Sequence, residues 1–485
     1  MILAFPLGIR HGRYRHLLFE MKKSGIFMNR PGFRKPRHAQ TPARSQPRAG
    51  GAERPPSYVY RRSSSAPRGH ATRPTDQAQP AGGSDSLCGA CKYVHLPYEQ
   101  GLDEKYRRGV ELLEQAGVTH DARLLPPEKS PRPLEYRSLF KLAVRPSLPG
   151  RLSPDRPALA DDVPSRFALG LFAPGSHDVI DMHDCPLHTA PLRKLIRDLR
   201  TELDLSPLTP YSERTHSGQI RYVVARAAHL TGEIMLTFVV TEPLKPELRQ
   251  LVQNLQRQGD KINSAYMNIN SQPGNAIFGP ETIRVAGADK LRERLCDLDF
   301  EVGPTAFFQI NPWQAINLYR RVEQIAGPAA PDAVAWDLYC GVGQIALVLA
   351  RLGYRTFGVE ENPTAILDAQ ANARKNHLSE RTEFVQARVE DVTTATIPAW
   401  ATKPGLIVVN PSRRGLAEET RAHLARLLAD NKATRLIYVS CSVQTLARDL
   451  ADLTRDSGFQ VRQIEAFDMF PQTDNMEWLV VMSHG

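Results

Sequence analysis

Ala333-Val-Ala-Trp-Asp-Leu-Tyr-Cys-Gly-Val-Gly343 is the stretch that decides the fold. Its first seven residues are a short apolar run closing on an acid and an aromatic, the pattern of a buried strand. Cys340-Gly341-Val342-Gly343 is then a tight turn, and Gln344 to Leu352 resumes apolar positions at helical spacing. Glycines in such a turn let the backbone approach a ligand closely, at a helix N-terminus whose N–H groups lack partners. The next strand, Tyr354 to Glu360, ends in an acid 19 residues beyond Gly341. An acid at that distance holds ribose hydroxyls in nucleotide-binding βαβ units. The third glycine of a dinucleotide fingerprint is missing, which weakens a dehydrogenase reading. A single-nucleoside ligand such as S-adenosylmethionine fits better.

The same alternation continues downstream. Asn362-Pro363 caps a helix expected to run to about Asn376. Leu406-Ile-Val-Val409 reads as a buried strand delivering the polar turn Asn410-Pro-Ser-Arg-Arg-Gly415, suited to substrate or backbone contact or simply an ordinary βα loop. Leu436 to Val439 reads as another strand, ending in Ser440-Cys441 before a helix with Leu446, Ala447 and Leu450 on one face. Chemistry in an open α/β sheet gathers at the carboxyl ends of the strands. Cys441 is therefore a candidate nucleophile, set against the commoner role of cysteine as a small buried hydrophobe.

Upstream, residues 136–300 turn β-rich and read as an α+β module. Phe140, Leu142 and Val144 alternate with their neighbours, as do Ile220, Tyr222 and Val224, and Glu233 to Val240 makes a further strand. Helices are expected over 192–203 and 246–258. Arg137, Lys141 and Arg221 could face RNA, although solvated strand faces are the simpler reading of each. Residues 86–135 hold Cys88-Gly-Ala-Cys91 and an amphipathic stretch over 100–118, and a third cysteine, Cys185, stands in His183-Asp-Cys-Pro186. In a reducing compartment that spacing favours a metal or cluster over a disulfide. With no second C-x2-C pair nearby, a closed zinc ribbon is unsupported.

The net charge of +10 is uneven. Residues 1–85 carry 16 Lys or Arg against four acids, a balance of +12 that leaves −2 for everything else. This Pro-, Gly- and Ser-rich arm is expected to be a disordered basic tail able to neutralise phosphates. No apolar run reaches membrane-spanning length, and the first nine residues make a poor signal peptide, so the cytoplasm is the default expectation.

Taken together, Phe307-Phe-Gln-Ile-Asn-Pro312, Asp337-Leu-Tyr-Cys-Gly-Val-Gly343, Asn410-Pro-Ser-Arg-Arg-Gly415, Val439-Ser-Cys-Ser442, Asp468-Met-Phe-Pro471 and Met476-Glu477 stand in the order of a known family. Over residues 86–485 the chain resembles the RNA uracil-C5 methyltransferases, which make 5-methyluridine from S-adenosylmethionine. The resemblance implies a Rossmann-like methyltransferase domain over 301–485 behind the α+β module. It assigns the nucleophile to Cys441 and the general base to Glu477, whose apolar neighbours should raise its pKa. It implies cofactor contacts from Gln309, Tyr339, Gln344, Glu360 and Asn410, with Cys340 structural. Asn410 departs from the family's commoner Asp. Cluster-bearing members hold a [4Fe–4S] cluster on four cysteines, and Cys88, Cys91 and Cys185 match three of them. No cysteine lies upstream of Cys88. Either a non-cysteine ligand such as Asp85 completes the site, or the cluster is incomplete or lost. With no strand pattern for an N-terminal RNA-binding barrel, the chain resembles the branch acting on 23S ribosomal RNA more than the transfer RNA branch.

Two rival classes are weaker. Asn-Pro-Ser-Arg loosely resembles an N-methyltransferase motif but lacks its aromatic residue and leaves Cys441 unexplained. A non-catalytic RNA chaperone on the same fold would need neither Cys441 nor Glu477.

Overall fold

The computed structural model describes residues 89–147, 165–392, 396–455 and 457–485. The basic tail, Asp85 and Cys88 lie outside the described residues. The central module is a seven-stranded sheet in the order Val179–Asp181, Phe167–Phe172, Leu139–Pro146, Ile220–Ala227, Ile234–Val240, Ile262–Ile269 and Glu281–Gly287. Its neighbours run antiparallel except Ile234–Val240 and Ile262–Ile269. Parallel neighbours need a crossover, and the Lys245–Arg257 helix supplies it. That helix and Ala190–Leu205 bury leucines at helical spacing, among them Leu192, Leu195, Leu199, Leu248 and Leu255, against one face of the sheet.

Arg221 corrects the expectation of a solvated or RNA-facing strand. It is 1% exposed and donates to the carbonyls of Asn270, Gln272 and Gly274. Those acceptors replace its hydration, so this arginine ties the strand to the loop beyond Ile269. Lys141 is exposed and Arg137 half-buried.

A hairpin, Leu291–Leu295 with Leu298–Val302, leads into the last domain. Its two turn residues, Cys296 and Asp297, both have positive φ (49° and 60°). Two-residue hairpins of this hand usually carry Asn-Gly or Asp-Gly, so Cys-Asp sends no turn signal.

The C-terminal sheet has eight strands: Arg123–Leu124, Phe459–Phe467, Glu477–His484, Arg435–Ser440, Leu406–Val409, Val334–Leu338, Arg355–Glu360 and Thr382–Gln386. The last five are mutually parallel, and Glu477–His484 runs antiparallel to Arg435–Ser440. One face packs on Pro312–Ala326, Gln344–Arg351 and Pro363–Lys375. The other packs on Glu418–Asp430, Val443–Arg455 and Tyr98–Gln115. The expected cap is present: Asn362 accepts from Thr364 and Ala365 N–H.

Tyr98–Gln115 therefore shares its core with the C-terminal sheet. Tyr106 stacks on Trp478 with ring centroids 5.9 Å apart and planes 14° from parallel. Gly109 passes so close that a Cβ there would stand 2.1 Å from Trp478 Cζ2. Among the described residues no helix is long and apolar enough to cross a membrane.

Candidate active site

The register of one strand pair brings the two predicted catalytic groups together. Ser440 is the last residue of Arg435–Ser440 and pairs with Trp478 on the antiparallel Glu477–His484. The next residue beyond the first strand is Cys441, and the residue before Trp478 on the second is Glu477. Residues 36 positions apart in sequence thus meet at the carboxyl edge of the sheet.

Their electrostatics agree with that placement. Glu477 is 3% exposed, and burial pushes its carboxyl up to about 8, with Arg413 pulling the other way. Burial also pushes the Cys441 thiol up to about 11; Glu477 adds to the rise and Arg413 opposes it. A thiol, a carboxyl and a guanidinium from three separate strand ends share one site. Arg413 is the member of this cluster that residue-by-residue reading left unassigned. Its signal was the pair of arginines in the turn after Leu406–Val409.

That turn is held from behind. Asp449, fully buried, accepts from Leu416 N–H (2.7 Å), the Tyr438 hydroxyl (2.6 Å), Arg448 (2.6 Å) and Arg421 (3.4 Å). Thr445 and Arg448 donate to the carbonyls of Arg413 and Arg414.

The residues that the resemblance implies for the cofactor line the adjoining strand ends. Glu360 accepts from Gly341 N–H at 3.1 Å and Asn362 N–H at 2.9 Å, so it braces the glycine turn. The turn needs left-handed backbone at Gly341 (φ 54°) and Gly343 (φ 84°), and non-glycine Tyr339 adopts it too (φ 66°). A Cβ on Gly341 would meet nothing within 4 Å. Above the turn is open space. Gln344 is 6% exposed and its Nε2 has no partner. Asp337 caps the helix with one oxygen, accepting from Ala346 N–H at 2.8 Å, and its second oxygen is unpartnered. Burial raises that carboxyl to about 7 and the Tyr339 phenol to about 12. Asn410 N–H donates to Leu338 O, placing the polar turn beside the glycine turn. Cys340 is buried in the core, as a structural residue should be. An open glycine cradle, a brace positioned as a ribose ligand would be, and an unspent amide donor suit a nucleoside cofactor.

Gln309 is 4% exposed in a loop pinned from both domains. Arg226 donates to Phe308 O and Ala306 O, and Ser138 N–H to Ile310 O. From the other side, Asn311 donates to Met469 O at 3.1 Å. Tyr319 stands beside both Gln309 and Glu477, its phenol held well above the usual range by burial.

A cavity of about 530 Å³ opens between the central sheet and this site, lined by Arg137, Lys141, Phe140, Arg413 and Phe470. Cys91 and Cys185 line it too, and both stand against Tyr136 and Leu187. Among the described residues, no three His, Cys, Asp or Glu side chains cluster closely enough to hold a metal. Another cavity, about 460 Å³, lies at the opposite end of the strands around Val334, Arg355 and Trp400, away from Cys441.

The comparisons with known proteins follow this geometry. The family model described as tRNA (Uracil-5-)-methyltransferase matches residues 208–484. An uncharacterized RNA methyltransferase of Listeria innocua is 32% identical over 408 residues, covering 82% of each chain. One from Bacillus cereus is 30% identical over 400 residues, covering 82% of this chain and 81% of its own. Among solved structures, the Pyrococcus abyssi tRNA (uracil-54, C5)-methyltransferase in complex with S-adenosyl-L-homocysteine superposes with a TM-score of 0.63. It is 25% identical and covers 82% of this chain and 86% of that one. The fold is that of an S-adenosylmethionine-dependent methyltransferase, and the chain belongs to the tRNA (uracil-5-)-methyltransferase family of RNA methyltransferases.

Proposed function

We propose that this protein methylates C5 of a uracil in RNA, with Cys441 as nucleophile and Glu477 as general base. The carrying observation is the strand register that sets a cysteine and a buried carboxyl side by side at the sheet edge. Uracil C5 is a weak nucleophile. The Cys441 thiolate adds to C6, and the electron pair moves through C5 onto the O4 oxygen as an enolate. S-adenosylmethionine, when bound, supplies the methyl group that C5 takes up. Glu477, as carboxylate, removes the C5 proton; the enolate reforms and expels the Cys441 thiolate as the C5–C6 double bond returns. Arg413 is the nearby charge that lowers both pKa values and so favours both anions. Gln309, Tyr339, Gln344, Glu360 and Asn410 hold the cofactor. The target base must leave its stack to reach so buried a carboxyl.

The proposed RNA is 23S ribosomal RNA, supported by the cysteine pair and the Asn410 turn. A transfer RNA target is the second reading, favoured by what the Pyrococcus abyssi neighbour acts on. Cys91 and Cys185 converge on Tyr136 and, with Cys88, would hold an iron–sulfur cluster that staples the N-terminal segment to the central module. Iron and sulfide analysis of anaerobically purified protein checks this; absence of both ends the cluster reading.

RNA containing 5-fluorouracil tests the chemistry, because fluorine at C5 cannot leave as a proton. Wild type should form a denaturant-stable adduct, and Cys441→Ala should form none. Glu477→Gln should accumulate an adduct with ordinary RNA. No adduct from wild type with either ribosomal or transfer RNA would overturn the nucleophilic mechanism. Mapping 5-methyluridine in RNA from a deletion strain separates the two targets.

A further inference from the structure

The loop that delivers Glu477 is set by a residue far away in sequence. Phe467 and Glu477 pair across the two strands that flank Asp468 to Met476, so this loop closes on the proposed base. Within it the backbone makes few bonds of its own, such as Thr473 N–H to Phe470 O at 3.1 Å, and Gln472 adopts positive φ (67°). The ties that hold it come from outside.

Lys105, midway along Tyr98–Gln115, is the centre of them. Its side chain is 2% exposed and that of Asp468 is fully buried. The ammonium donates to the Asp468 carboxylate and to the carbonyls of Phe470 (3.2 Å), Thr473 (3.3 Å) and Asn475 (3.3 Å). One cation with three protons thus serves four acceptors spread over eight residues of one loop. Tyr93 N–H to Gln472 O (3.0 Å), the Tyr136 hydroxyl to Pro471 O (3.0 Å), Asn311 to Met469 O (3.1 Å), Asp468 N–H to Glu128 O (2.9 Å) and the pairing of Asp474 with Lys92 and Arg108 add single ties around it. A buried ion pair seldom adds net stability over apolar residues of the same volume. Its value here is in geometry: one ammonium gathers three carbonyls of the loop to a single point.

We propose that Lys105 is a positioning residue for Glu477, fixing the loop so that the carboxyl faces the C5 proton. It acts on proton abstraction, and cofactor binding and thiolate attack proceed without it. This rests on the reading of Glu477 as general base.

The test uses full-length protein, tritiated S-adenosylmethionine, and transcripts of 23S ribosomal RNA and transfer RNA. Lys105→Met is compared with Glu477→Gln and with Lys105→Met/Asp468→Asn, which leaves no unpaired buried charge and guards against simple unfolding. The expected result for both Lys105 variants is turnover lower by about 100-fold, the scale set by a small misplacement of a catalytic group. S-adenosylmethionine affinity by calorimetry should stay within about twofold, and denaturant-stable enzyme–RNA adduct should accumulate as it does in Glu477→Gln. Wild-type turnover in the Lys105 variants overturns the proposal. So does joint loss of turnover, adduct and cofactor binding in both, the mark of a merely structural residue. If Glu477→Gln itself accumulates no adduct, the base assignment fails on its own account, whatever the Lys105 variants do.

Discussion

At the scale of single residues, the site is a problem of charge in a dry place. Cys441 and Glu477 are both held towards their neutral forms by burial, and Glu477 further disfavours the Cys441 thiolate. Removing the carboxylate in Glu477→Gln should lower the thiol pKa wherever the wild-type group is charged, that is above about pH 8. Adduct formation on 5-fluorouracil RNA should then be faster in the variant at pH 9 and equal to wild type at pH 6; parallel pH profiles would disprove the coupling. The same shift bears on stability. An unfolded Glu477 ionises near 4.5 and the folded one near 8, so between those values the unfolded state sheds a proton the folded state keeps. Stability falls across that window as pH rises. Glu477→Gln should gain roughly 4 kcal/mol over wild type at pH 8 and nothing at pH 4, read by denaturant titration at each pH. Sequence alone singled out Cys441 from its place after a strand. Glu477 came only through family resemblance, because nothing in the local sequence reveals that strand Glu477–His484 returns antiparallel beside Arg435–Ser440.

At the scale of elements, buried polar groups fix how helices and loops meet the sheet. Asp449 collects four donors from the turn after Leu406–Val409, the next strand and two helices. Asp449→Ala strands those donors and should cost about 3 kcal/mol, measured by the urea midpoint. Gly109 sets two opposing effects against each other. Alanine in a helix interior gains about 1 kcal/mol over glycine, yet its Cβ would stand 2.1 Å from Trp478, and overpacking costs about 1–3 kcal/mol. Trp478 is itself buried beneath a stacked Tyr106 and has little room to retreat. Gly109→Ala should lower the melting temperature; a rise would show that the contact yields. Period-2 and 3.6-residue patterns located most strands and helices within a few residues, since burial on one face writes that pattern into the chain. The hairpin at Cys296-Asp297 was not anticipated, because its positive φ values are imposed by the surrounding packing and carry no glycine or asparagine to announce them.

At the scale of the whole molecule, charge and chemistry are separated. Residues 86–485 are nearly balanced while residues 1–85 carry +12. A protein beginning at residue 86 should bind RNA with a shallower dependence on salt between 50 and 200 mM, since fewer counterions are released, and should methylate the same nucleotide. An unchanged slope would mean that the arm makes no phosphate contacts. The cysteine-bearing segment is equally instructive. By sequence, residues 86–135 stood apart as a unit of their own, yet Tyr98–Gln115 lies in the core of the C-terminal sheet and sends Lys105 to the loop before Glu477. What the sequence determined by itself was everything carried by near neighbours: the alternation of strands and helices, the glycine turn, the acid at its strand end, the thiol at another. Those signals lie within a few residues of one another, where backbone sterics and one-sided burial act directly. Tertiary structure alone decided which distant groups share a dry space. It set Glu477 against Cys441, turned Arg413 towards both, and drew Arg221 and Lys105 inward. A buried charge finds its partners only where the folded chain has replaced water with fixed acceptors, and no local spacing specifies which ones they will be.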